Sequence, residues 1–225
     1  MLNDNLPADG QILPFYLADG SDDIALIRGR MASVGRAAST ILARHDYPEI
    51  VAILQAEALA LAACLSSTLK FDGVFTLQAK GDGPVRTLFA DITEAGALRG
   101  YAALDGDQSA LRAAALAHDQ TGPVRLRHVM GDGYISFTVD DSNTNGRYQG
   151  IVALDDQHLG DAAMRWYENS EQLNTLVICA AAEGSDGWQA VALMLQRIAV
   201  EGGKGDAMTW SDAAARAKSD DAWHT

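Results

Sequence analysis

The stretch from Pro48 to Leu69 constrains this chain more than any other, because its apolar residues surround the helix axis instead of marking one stripe. Ile50, Val51, Ile53, Leu54, Leu59, Leu61 and Leu65 are joined by alanines at 52, 56, 58, 60, 62 and 63. Such a helix is normally buried. Gln55 and Glu57 break the run before about 18 uninterrupted apolar residues accumulate, which argues against a membrane span. Asp46 is the expected N-cap, since Pro48 is tolerated in the first turn, where its missing amide costs little.

Strand-like runs follow: GVFTLQAK from Gly73, VRTLFADI from Val85, ALRGYAAL from Ala97, YISFTVDD from Tyr134 and RYQGIVAL from Arg147. Turn residues punctuate them, which predicts antiparallel hairpins. In the first run Phe75, Leu77 and Ala79 share one face and Val74, Thr76 and Gln78 the other, as expected where one face meets the helix and one meets water or a partner. Upstream, Ile24 to Met31 reads as a strand and Val34 to Arg44 as a short helix. Leu104 to Ala117 and Gln157 to Gln172 contain further helices, the latter with Leu159, Ala163, Trp166 and Tyr167 at helical spacing. Thr175 to Ala182 reads as a strand, whereas Trp188 to Ile198 fits strand or helix by pattern alone. The expected fold class is α+β, with antiparallel hairpins packed around a central buried helix. Residues 1–22 read as a loose N-terminal arm in which Leu13, Phe15, Tyr16 and Leu17 form a docking patch, an edge strand being the alternative there; Glu201 to Gly205 read as a linker.

The 225 residues suffice for a substantial core without disulfides or metal. A formal net charge of -13 repels phosphate backbones and anionic lipid, so neither nucleic acid nor a membrane is an expected partner. The N-terminus lacks the basic start and apolar core of a secretory signal, and the expected location is the cytoplasm. Cys64 and Cys179 sit among apolar neighbours and read as small core residues.

No catalytic, cofactor-binding or metal-ligating residue is nominated by the motifs. Histidines 45, 118, 128, 158 and 224 do not pair at metal-ligand spacing. His45-Asp46 is explained by turn exposure and capping, with acid-base chemistry as the sharper reading. Arg28, Gly29 and Arg30 form a small basic spot for which anion binding is the sharper reading and salt bridges to the abundant carboxylates the plainer one. Lys204 lies in a glycine-rich fragment lacking the rest of a phosphate loop. Gly81-Asp82-Gly83-Pro84 and Gly131-Asp132-Gly133 look like tight turns of two weakly repeated hairpin units. The alternative reading makes the chain a small-molecule binding protein or enzyme with its site at these two turns. A phosphate cradle would need a helix after each turn, and the pattern shows none.

The motifs IRGR (27–30), HDYP (45–48), LKFDG (69–73), QAKGDGPVR (78–86), LRGYA (98–102), RYQGIVAL (147–154) and SEQLNT (170–175) resemble, in this order and spacing, the heat shock protein 33 family of redox-regulated chaperones. The resemblance implies an ATP-independent holdase, not an enzyme, that binds unfolded or misfolded client proteins, often as a homodimer. In that family a C-terminal Cys-X-Cys and Cys-X-X-Cys set binds zinc, and its oxidation frees the metal and unfolds the preceding linker. Thiolates suit this role because oxidised sulfur no longer ligates zinc. Neither motif is present, and Cys64 and Cys179 match no position of it, so no cofactor is expected in this chain. Asn174 stands where the family carries proline. The resemblance divides the chain into an N-terminal arm (1–22), a chaperone core (23–199) and a partial linker (200–225), without the zinc redox domain; Met208 and Trp210 would be linker groups covering the client surface.

Overall fold

The computed structural model describes residues 8–18, 25–69, 71–105, 109–118, 124–142, 146–155, 158–171 and 174–197. The buried helix is α2, Glu49–Ser66, and every residue in it except Glu49 and Ile53 is buried. Its N-cap is Pro48 and not Asp46, which is exposed, and no side chain caps the first turn. Packing on all sides supplies the stability that a side-chain cap would otherwise lend.

Two antiparallel sheets enclose α2. The first has the order β1 (Gln11–Ala18), β2 (Ala25–Ser33), β9 (Gly187–Arg197), β8 (Thr175–Gly184). The second has the order β5 (Leu98–Leu104), β4 (Val85–Thr93), β3 (Gly73–Gly81), β6 (Gly133–Asp141), β7 (Gly146–Ala153). Helix α2 packs against β8, β9 and β2 on one side and β3, β4 and β5 on the other. The fold is therefore α+β with antiparallel strands around a central helix, and the five runs from Gly73 to Ala153 make up one of its two layers. The many alanines of α2 let both layers approach. Gly100 extends this on β5, where a Cβ would stand 2.4 Å from Nε2 of Gln55.

The ambiguous segment from Trp188 is strand β9, held by β2 and β8 on either side. Pairing on both edges decides what an apolar pattern alone could not. Within the expected 1–22 arm, β1 pairs with β2 along its length. The expected helix from Leu104 is α3, Ser109–Ala117. Two further helices, α1 (Gly35–Leu42) and α5 (Leu159–Glu171), lie within the expected ranges, and a one-turn helix α4 (Leu126–Met130) went unforeseen. On α5, Leu159, Ala163, Trp166 and Tyr167 are all buried, and the Trp166 ring stacks on Phe137 with centroids 4.7 Å apart. Residues 198–225, including Lys204, Met208 and Trp210, lie outside the described residues.

Candidate functional site

The two Gly-Asp-Gly turns meet in space, but as a structural staple. Only the first joins a hairpin, between β3 and β4; the second follows α4, with Gly131 at φ 69°. The expectation that both turns lie between strands is thus corrected, because the backbone of α4 ends at Gly131. Oδ1 of Asp82 accepts the Asp132 N–H at 2.8 Å, and the Asp82 N–H donates to the Asp132 carbonyl at 3.0 Å. The Gly83 N–H donates to Met130 O at 2.7 Å, and Arg127 pairs with Asp132 at 3.0 Å. Groups that would bind a ligand bind the other turn instead. A Cβ at Gly83 would lie 2.4 Å from the Met130 carbonyl carbon, so glycine is needed for this close approach.

The remaining polar candidates are engaged in packing. His45 stacks on Tyr47, with centroids 4.8 Å apart, and meets Tyr101 edge-on. The Tyr47 hydroxyl accepts the Ala102 N–H at 2.9 Å, fixing β5 to the start of α2. Arg28 donates to Oε1 of Gln196 at 3.0 Å. A cavity of about 310 Å³ lies elsewhere, between the start of α2, α3 and the end of β8, lined by Ile50, Ile53, Leu111, Ala115 and Ala181 with Arg112 and Glu183 among its polar groups.

Cys64 and Cys179 are buried and reduced. Burial pushes the Cys64 thiol up to about 12; burial, and then the charge of Glu57, raises that of Cys179. Zinc binds thiolates, and two core thiols held protonated do not fit a zinc site. Among the described residues no group of three or more His, Cys, Asp or Glu could hold a metal. Glu57 itself is 1% exposed, and burial pushes its carboxyl up to about 8, with the nearby Val124 N–H pulling downward. Neither of its oxygens accepts a hydrogen bond of good geometry among the described residues.

The feature that stands out on the surface is the outer side of the four-stranded sheet. Ala190, Ala192, Met194, Val177 and Cys179 point inward and are buried, so their sequence neighbours point outward. Cross-strand register lines these up as Leu13, Met31, Leu193 and Ile178 in one row and Phe15, Gly29, Leu195 and Leu176 in the next. The Phe15 ring covers Gly29, where a Cβ would stand 2.2 Å from Cζ. Ile178 is 51% exposed, Leu176 43% and Val191 40%. The result is a contiguous apolar surface of the kind that marks interaction sites. Of these residues only Leu13 and Phe15, read from sequence as part of a docking patch, were singled out beforehand. The available signal was that β8 and β9 are apolar at both alternations, which a strand with one wet face would not be.

The comparisons with known proteins agree with this architecture. Residues 12–219 match the family model described as Hsp33 protein. The 33 kDa chaperonin of Caulobacter vibrioides is 37% identical over 186 residues, covering 80% of this chain and 59% of that protein. That of Ectopseudomonas mendocina is 36% identical over 183 residues, covering 81% of this chain and 55% of that protein. The crystal structure of the 33 kDa chaperonin (heat shock protein 33 homolog) from Thermotoga maritima superposes with a TM-score of 0.67 at 19% identity, covering 84% of this chain and 61% of that one. The chain thus spans somewhat over half the length of the relatives it matches.

Proposed function

This chain belongs to the Hsp33 protein family, and from that premise we propose that it acts as an ATP-independent holdase, binding unfolding polypeptides on the outer face of its four-stranded sheet. The observation that supports this most is the row Leu13, Met31, Leu193 and Ile178, which runs across all four strands without a polar interruption. Unfolding proteins expose apolar side chains that are normally inside. Burying one such side chain against this face contributes roughly 1.5–3 kcal/mol, without demanding a particular sequence. The net charge of -13 then keeps a loaded complex dispersed.

In this reading residues 23–199 are the chaperone core, residues 200–225 are a linker that regulates access to the face, and the protein works in the cytoplasm. Redox control through zinc, which the family resemblance implies, would lie outside Cys64 and Cys179. Both thiols are too buried and too firmly protonated to act as a sensor. The family resemblance also supports a homodimer as the working form.

The test is light scattering from a thermally unfolding enzyme mixed with this chain at increasing ratio, before and after peroxide. Suppression that grows with ratio and is indifferent to peroxide supports the proposal. Unchanged scattering at every ratio counts against it.

A further inference from the structure

We propose that the outer edge of β7 is a second docking site, where an extended segment of unfolded polypeptide adds as a sixth strand to the five-stranded sheet. The occupant rests on the chaperone reading; the edge itself rests on backbone geometry.

The Leu154 N–H donates to the Gly133 carbonyl at 2.9 Å, and β6 pairs with β7 in unbroken register as far as Asp141 and Gly146. Antiparallel pairing alternates, so the backbone groups of Tyr148, Gly150 and Val152 face β6. Those of Arg147, Gln149, Ile151 and Ala153 face away, and no strand pairs with them among the described residues.

The other three sheet edges carry devices that discourage pairing. Strand β1 has Pro14 in its middle and a register shift at Leu17/Ala18. The β4–β5 pair shifts register between Val85 and Thr87, and the Tyr47 hydroxyl occupies the Ala102 N–H. On β8 the start of α5 lies so close that a Cβ at Gly160 would stand 2.5 Å from the Val177 carbonyl oxygen. Strand β7 has no proline, no lysine and no bulge. Natural proteins blunt edges in these ways because an unprotected edge recruits another chain.

The pleat of β7 also offers apolar contact on both faces. Ile151 is 59% exposed on the outer face, and Tyr148 is 46% exposed on the opposite one. An added strand alternates its side chains and would meet both. Recognition through main-chain groups is blind to sequence, as a holdase with many clients requires. A second copy is the poorer occupant of this edge, because one strand edge alone falls short of the roughly 1,200 Å² that stable association buries.

The test uses a neutral ten-residue peptide of alternating valine and threonine, and the same peptide N-methylated at every residue. With the plain peptide, residue-resolved amide exchange should show new protection at Gln149 and Ile151. The methylated peptide, which keeps its side chains but loses its donors, should bind about tenfold more weakly. Ile151→Pro removes one outward donor and leaves the β6 pairing intact, and Gly150 tolerates the restriction that proline places on its neighbour. That variant should also lose about tenfold in affinity, whereas Ile151→Thr, which keeps the donor, should lose less than about threefold. Equal binding of both peptides, or protection confined to the four-stranded face, overturns the edge site even if Ile151→Pro fails to fold, and leaves the chaperone reading standing. Protection that rises with protein concentration without peptide assigns the edge to a second copy and overturns the proposal. Loss of aggregation suppression with peptide protection intact strikes the chaperone reading and upholds the edge.

Discussion

Asp82 and Asp132 hold each other's turns: the Asp82 carboxylate accepts the Asp132 N–H at 2.8 Å while the Asp82 N–H donates to the Asp132 carbonyl at 3.0 Å. The Arg86 guanidinium adds a bond to the Asp82 carbonyl. Asp82→Ala strands one backbone donor and loosens the β3–β4 hairpin against α4. Denaturant unfolding should show a loss of about 1–2 kcal/mol. An unaltered midpoint would return these turns to a ligand-binding role.

Glu57 makes stability fall as pH rises. Its folded carboxyl titrates near 8 and its ordinary value is 4.5, so between those values the unfolded chain gives up a proton that the folded chain keeps. The contribution is harmless below about pH 4.5, and each pH unit above that costs on the order of 1 kcal/mol until the group ionises in place near pH 8. Glu57→Gln removes this slope. The difference in unfolding free energy between wild type and Glu57→Gln, measured from pH 5 to 8, should widen with pH in favour of glutamine. A difference constant over that range would show that Glu57 is not buried neutral.

Ile178→Asp tests the apolar face. The side chain is 51% exposed and contributes little to the core, so the melting temperature should move by no more than about 2–4 °C. Aggregation suppression should need severalfold more protein, because a charge now interrupts the row through Leu193 and Met31. Full suppression by the variant would move the client surface elsewhere.

Cys64 and Cys179 should resist thiol reagents in the native protein and react fully in denaturant. Reactivity follows thiolate fraction and access, and both thiols lack both. Rapid native labelling of either would contradict their placement in the core.

Much of the layering was legible because α2 is apolar all round, and only enclosure on two sides satisfies such a helix. Strands β3, β4, β6 and β7 were visible from period-two patterning and intervening turns. The separation into two sheets was not, because it depends on β2 meeting β9 across 168 residues of sequence between Arg28 and Gln196. Helix α4 is a single turn, too short to establish a periodicity, and its place beside Asp82 is set by tertiary hydrogen bonds. The apolar face escaped notice for a different reason. Leu176, Ile178, Val191 and Leu193 look like ordinary core residues until inward-facing Val177, Ala190 and Ala192 show which side the core occupies. Gly150 is similar: only the Trp166 ring, 2.1 Å from where a Cβ would stand, reveals why the position is bare.

Because α2 is the shared wall of both sheets, neither sheet has a hydrophobic interior of its own. Separating them would expose Leu54, Leu59, Leu61 and Leu65 together. The two layers must therefore melt as one cooperative unit, with no partly opened form of the core between them. The core is in this sense a rigid table, and amide exchange along α2 should report global unfolding alone.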